Sequence, residues 1–346
     1  MAGSRQVDPR RSCILFISLQ VTSICMEEPS QTDLSEMYHN TESIINSIVG
    51  EVGKVIVGQK DALEHLLISL LSNGHALIES YPGLGKTLMI NTVSRAMDLS
   101  FNRIQCTPDL MPSDITGTMI VEEHAGEKRF RFERGPVFSN IVLADEINRA
   151  SPKTQSAFLE SMQEKQITAG NETYKLDAPF FVLATQNPIE MEGTFPLPEA
   201  QLDRFLMKIL MNYPSFDEER TIVDRYTSVS EPSVNRVIDK DALIALQHLT
   251  REVPISEELK AHAINIVTAT RTWENLEYGA SPRASIALIL TAKARALIRG
   301  RNYVSKEDIH AMACPILRHR IILSFEAERI GVTQDQVIRE ILKGAK

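Results

Sequence analysis

The segment Ser80-Tyr81-Pro82-Gly83-Leu84-Gly85-Lys86-Thr87 constrains the fold more than any other part of the chain. It follows a short, mostly apolar run, residues 75–79, that reads as a strand. It opens residues 86–97, which read as a helix. A glycine-bearing bend between strand and helix turns successive backbone N–H groups and a helix N-terminus toward one point, a ready site for phosphate. Gly83 and Gly85 let the backbone wrap closely around an anion. In that setting Lys86 reaches the β- and γ-phosphates of ATP, and the Thr87 hydroxyl is a ligand for Mg2+. The strict form of this motif begins with glycine, and Ser80 stands in that place.

A matching second half lies downstream. Ile141-Val142-Leu143-Ala144-Asp145 is an apolar strand ending in acid, followed by Glu146. The C-terminal ends of parallel strands are where ligands sit. There Asp145 would hold magnesium and Glu146 would polarise the attacking water. Taken alone, such an acidic pair is as readily a helix cap. Asn187, after the strand predicted at 180–184, either orients the water or the γ-phosphate or merely marks an Asn-Pro turn. Arg204 and Arg283, without other evidence, read as surface ion-pair partners.

Around these residues strands and helices alternate. Strands are predicted at 75–79, 101–105, 141–145, 180–184 and 205–210, with helices between them. Near-continuous apolar strands of this kind indicate a parallel sheet covered on both faces, an α/β fold. Two segments break the alternation. Residues 120–132 and 166–175 read as hairpins turning at Gly126 and at Gly170-Asn171. Beyond Tyr213-Pro214-Ser215 only helical spacing is found. The expected organisation is a disordered N-terminal extension at 1–40, with polar residues 29–40 as a linker, a nucleotide-binding core at 41–214 whose first helix starts at Thr41, and an all-helical unit at 215–346.

The 346 residues carry a net charge of −8, which disfavours a general nucleic-acid binder. The four cysteines, Cys13, Cys25, Cys106 and Cys314, lack metal-ligand spacing and read as free thiols of a reducing compartment. The apolar stretch after Arg10-Arg11 resembles a short signal peptide, but no small-x-small cleavage site follows it. The reading adopted is an upstream extension of a chain starting at Met26 or Met37. No apolar run reaches the roughly 20 residues needed to span a bilayer, so stable membrane insertion is not expected, and dependence on ATP implies a cytoplasmic protein.

Taken together, these strings resemble the MoxR family of AAA+ ATPases, from about Val55 to the C-terminal region. The resemblance rests on Val57-Gly58-Gln59, on Pro82-Gly83-Leu84-Gly85-Lys86-Thr87, and on the long run from Gln105-Cys106-Thr107-Pro108-Asp109 to Gly117. It continues through Gly135-Pro136, Asp145-Glu146-Ile147-Asn148-Arg149-Ala150 and Ala184-Thr185-Gln186-Asn187-Pro188. Pro196-Leu197-Pro198-Glu199-Ala200-Gln201-Leu202-Asp203-Arg204-Phe205 and Ala280-Ser281-Pro282-Arg283-Ala284 complete it. It implies a P-loop AAA+ core with a five-stranded parallel sheet and a helical lid. It implies that Val57, Gly58 and Gln59 lie against adenine and that Asn187 is a sensor-1 residue. Arg204 would be an arginine finger reaching a neighbouring subunit's γ-phosphate, and Arg283 a sensor-2 residue of the lid. The resemblance also implies a homo-oligomeric ring, usually a hexamer, with the hairpins facing its pore, and client proteins that include partners with von Willebrand factor A domains.

The leading expectation is therefore an ATPase that remodels, matures or inserts metal into partner complexes. Two alternatives stand beside it. One is a nucleotide-gated binding module with little hydrolysis, made possible by Ser80. The other is a DNA-dependent motor, against which the balanced charges of the first hairpin speak: Lys128, Arg129, Arg131 and Arg134 face Glu122, Glu123, Glu127 and Glu133.

Overall fold

The computed structural model describes residues 31–124, 127–169, 172–189, 193–228 and 232–344. Two helices come first, α1 (Gln31–Gly53) and α2 (Lys60–Leu71). Helix α1 starts ahead of the predicted Thr41, so residues 31–40, read as linker, are helical. The reason is a longer stripe than the apolar pattern shows: Tyr38, Thr41, Ile45, Ile48 and Val52 are all buried at alternating spacings of three and four. Thr41 interrupts that stripe for a reader counting only apolar side chains.

The sheet-bearing part follows. It comprises β1 (Ala76–Ser80), α3 (Lys86–Ala96), β2 (Phe101–Gln105), the short α4 (Pro112–Thr116), the hairpin β3 (Gly117–His124) and β4 (Glu127–Arg134), and β5 (Ile141–Asp145). A 3-10 turn at Ile147–Arg149 leads to α5 (Pro152–Glu164), the hairpin β6 (Gln166–Ala169) and β7 (Glu172–Lys175), β8 (Phe181–Gln186), α6 (Glu199–Leu202) and β9 (Met207–Met211). Five strands form one sheet in the order β2-β5-β8-β1-β9, every pair parallel. The tips of both hairpins, including the expected turns at Gly126 and Gly170-Asn171, lie outside the described residues.

Strand β5 is buried on both faces, which is why its sequence is apolar throughout. Ile141 and Leu143 join a core with α2 and α3. Val142 and Ala144 join a second core with Phe158 and Leu159 of α5. Fully burying each such side chain contributes about 1.5–3 kcal/mol.

The C-terminal part is helical: α7 (Phe216–Tyr226), α8 (Lys240–Glu252), α9 (Glu257–Ala269), α10 (Pro282–Ile298), α11 (Lys306–Leu317), α12 (Phe325–Arg329) and α13 (Gln334–Gly344). Two short strands, β10 (Leu276–Tyr278) and β11 (Ile322–Leu323), pair antiparallel. Helical spacing alone was expected in this part, because strands of two or three residues cannot display a period. Helices α8 to α13 share the first core with α2, α3 and the sheet. Gln247 Nε2 also donates to the Leu70 carbonyl of α2 at 2.8 Å. The helical part is thus packed behind the sheet face opposite α5.

Candidate active site

The bend after β1 has the geometry that phosphate binding requires. Gly83 and Gly85 adopt φ of 81° and 76°, a region costly for residues with a Cβ. Gly85 caps α3, so the N–H groups of Lys86 and Thr87 belong to the open first turn of that helix. Ser80 closes β1 in an extended conformation, paired with Met211 of β9. It is buried, and no left-handed backbone is asked of it. The usual glycine is therefore dispensable at this position.

The sheet order brings the other half alongside. Strand β8 lies between β1 and β5, with Glu79 beside Gln186 and Ala144 beside Ala184. The Ser80 bend, Asn187 and the Asp145–Glu146 pair therefore leave the same edge of three adjacent strands. Asp145 is 5% exposed. Its Oδ1 accepts the Thr185 hydroxyl at 2.6 Å. Its Oδ2 accepts Arg103 Nε at 3.0 Å and Nη2 at 2.6 Å.

Glu146 sits at φ 57°, a left-handed conformation that costs a non-glycine residue of order 1 kcal/mol. Its N–H is anchored on Thr185 Oγ1 at 2.8 Å. One carboxylate oxygen, Oε2, accepts Gln105 Nε2 and Arg149 Nη1, both at 3.1 Å. Arg103 Nη2 donates to Gln105 Oε1 at 2.6 Å, which joins the two carboxylates through one network. Burial, with Asp145 and Glu146 adding to it, pushes the thiol of the adjacent Cys106 up to about 12.

The sequence named Asp145 and Glu146 but gave no role to Thr185, Gln105, Arg103 or Arg149. The one available signal was a buried hydroxyl near the end of an otherwise apolar strand. Asn187 is buried, and its Oδ1 accepts the Ile189 N–H at 3.2 Å, so its amide oxygen closes the Asn-Pro turn. The hard oxygen donors Thr87 and Asp145 suit Mg2+, though Asp145 would have to share its charge with Arg103.

Val57, Gly58 and Gln59 lead into α2. Gly58 and Gln59 have φ of 69° and 55°, and Gln59 Nε2 donates to the Asn212 carbonyl at 2.7 Å. A Cβ on Gly58 would fall 2.8 Å from the Glu218 carboxyl group, the far end of a flexible side chain, so it is the left-handed backbone that favours glycine there.

The two arginines lie elsewhere. Arg204 comes just before β9, at the opposite edge of the sheet from the phosphate bend, and Nη1 approaches the Leu159 carbonyl at 3.4 Å. Arg283, in the first turn of α10, is 3.6 Å from Asp203 Oδ2, the residue adjoining Arg204. Arg283 thus pairs with the chain neighbour of Arg204, while the Arg204 side chain itself turns toward α5.

The glycine bend, the acid-tipped strand beside it and the helical unit define a P-loop ATPase core of AAA type with its lid. Comparison with known proteins agrees. Residues 75–207 match the model of the ATPase family associated with various cellular activities, and residues 268–341 match the AAA lid domain. Chaperone MoxR1 of Mycobacterium tuberculosis is 44% identical over 85% of this chain and 79% of its own length. The protein YeaC of Bacillus subtilis is also 44% identical, over 88% of this chain and 94% of its own. Protein MoxR of Methylorubrum extorquens is 31% identical over 83% and 90%. A crystal structure from Cytophaga hutchinsonii, described as a candidate ATPase, superimposes with TM-score 0.84 at 47% identity, covering 90% of this chain and 96% of that one. The chain belongs to the MoxR family of AAA+ ATPases.

Proposed function

We propose that this chain binds Mg·ATP at residues 80–87 and hydrolyses it. In this reading Glu146 takes a proton from the attacking water while Lys86 and the open turn of α3 hold the phosphates. Bound magnesium would screen the β- and γ-phosphate charge, held by Thr87 and Asp145. The observation that carries the reading is the strand order: β8 alone separates the phosphate bend from the carboxylates, so one sheet edge presents both halves of the site.

Arg204 and Arg283 complete the site from a neighbouring copy. Arg204 precedes β9 at the end of the sheet away from the phosphate bend, and Arg283 is held on the adjoining Asp203, which supports supply in trans. Hydrolysis then depends on assembly into a ring, a hexamer in this reading. The core runs from α1 to residue 214 and the lid from 215 to 346, and the work is chaperone-like remodelling or metal insertion in client complexes, some with von Willebrand factor A domains, in the cytoplasm. Among the described residues no helix is long and apolar enough to cross a membrane. Phe132 and Tyr174 stack at 4.4 Å between ring centroids, coupling the two hairpins. The exposed Met119, Val121 and Phe130 lie on one face of the first hairpin, suited to gripping a client.

Steady-state phosphate release tests this. Glu146→Gln should retain ATP binding and lose at least about a hundredfold in turnover. Arg204→Ala should lose turnover in the assembled state. Binding without hydrolysis by the unaltered protein would leave the gated binding module as the function. Failure to bind ATP or ADP in calorimetry would reject both.

A further inference from the structure

The sequence motifs leave one feature beside the phosphate bend without a role. Tyr81, two residues before Gly83, stacks on Tyr213, with ring centroids 5.0 Å apart and planes 17° from parallel. The stack is a consequence of the sheet. Ser80 and Met211 are partners in the β1–β9 pairing, so the residues that follow them leave adjacent strand ends together. A third segment meets them there, because the Gln59 side chain is tied to the carbonyl of Asn212. Gly58, beside Gln59, adds no side chain to this corner, and Glu218 closes off its Cβ direction.

Tyr213 is 65% exposed although one face of its ring is covered by Tyr81. An aromatic ring open on one face, rigidly backed on the other and set at the rim of a phosphate cradle is a surface for a planar base. Tyr81 is within about 7 Å of Gly83 along the chain, so a base linked to phosphates held at residues 83–87 has the ring within reach. The geometry points to Tyr213 as a specificity-determining residue that stacks on the purine of the bound nucleotide, with Tyr81 as its backing. This assignment rests on the ATP site proposed above. Base–aromatic stacking of this kind contributes on the order of tenfold or more to affinity. It discriminates between a nucleotide and a bare polyphosphate.

Calorimetry on the full chain with ADP and with inorganic tripolyphosphate separates the two contributions. Tyr213→Ala should weaken ADP binding by about tenfold and leave tripolyphosphate binding unchanged, and Tyr213→Phe should restore ADP binding. Tyr213 is exposed, so its truncation leaves the core intact, and an unchanged thermal melt checks this. ADP affinity unaltered by Tyr213→Ala would overturn the inference, and with a changed assembly state it would assign the tyrosine pair to a subunit boundary instead. Equal weakening of ADP and tripolyphosphate would also overturn it, because the loss would then lie in the phosphate bend. An unaltered protein that binds tripolyphosphate but not ADP would reject the base platform and leave the phosphate site standing. One that binds neither would remove the ATP site itself.

Discussion

Arg320 Nε lies 2.9 Å from Asp203 Oδ1, and the same guanidinium donates to the Phe205 carbonyl at 2.6 Å through Nη2. Arg204 stands between those two anchor residues. Arg320 belongs to the lid, directly after α11, and its side chain is 3% exposed. Asp203 also accepts the Ser281 hydroxyl at 3.0 Å and faces Arg283. One carboxylate therefore ties the lid to the segment carrying the proposed finger, so lid movement cannot leave Arg204 where it was.

Removing Asp203 would strand the buried Arg320 charge, at a cost of about 3–5 kcal/mol, whereas removing Arg320 leaves Asp203 partly exposed and still facing Ser281 and Arg283. Arg320→Gln should therefore lower the unfolding free energy by less than that and reduce hydrolysis as Arg204→Ala does, with ADP affinity kept. Arg318→Gln is the control. It breaks another lid pair, Arg318–Asp335 at 2.9 Å, and should destabilise without a selective loss of turnover. Urea titration and phosphate release on both variants decide the matter. Equal residual turnover would reduce Arg320 to a packing residue.

Arg103 sets the charge on the metal side. Its guanidinium is bonded to Asp145 Oδ2, where it opposes a divalent cation at close range. Arg103→Met should lower the Mg2+ concentration for half-maximal hydrolysis several-fold. Because Arg103 also holds Gln105, maximal turnover should shift as Glu146 loses part of its support. A magnesium titration at saturating ATP reads both effects. An unchanged half-saturation point would mean that Arg103 moves aside without cost.

Ser80→Gly tests how far the departure from the usual phosphate motif matters. Ser80 is an extended, buried strand residue, so no backbone freedom is missing in the natural chain. Nucleotide affinity should stay within about twofold, while glycine in a strand costs roughly 0.5–1 kcal/mol of stability. A large gain in ADP affinity by calorimetry would show that the serine does restrain the bend.

Much of this site was legible in the sequence because its parts are local. A strand, a glycine bend and a helix follow one another between Ala76 and Ala96, and Asp145 ends an apolar run. Five parallel strands and two hairpins were foreseeable for the same reason. The strand order, the Thr185 link between Asp145 and Glu146, and the Arg320 anchor were not. Each joins residues 39 or more positions apart, and periodicity carries no information about such pairs. The position of Arg283 shows the same limit. Its motif marks a lid residue, but only the packing of α10 against Asp203 shows which part of the core it meets.

Acid should weaken the fold through His75. His75 is buried between β1 and α5: Nδ1 accepts the Val182 N–H at 2.9 Å, and Nε2 donates to the Met162 carbonyl at 3.1 Å. That pattern needs the neutral ring, and burial lowers its pKa from 6.5 to about 4. The unfolded chain therefore binds the proton first. The stabilisation is complete above pH 6.5 and is lost as pH falls toward 4, a total of about 3 kcal/mol at one pKa unit per 1.36 kcal/mol. His319, buried and also held well below the usual range by burial and Arg320, acts in the same direction. Urea midpoints should be flat from pH 8 to 7 and fall steadily between pH 6.5 and 4. His75→Gln should start lower and fall less steeply. Parallel pH curves for the variant and the natural chain would remove His75 from this account.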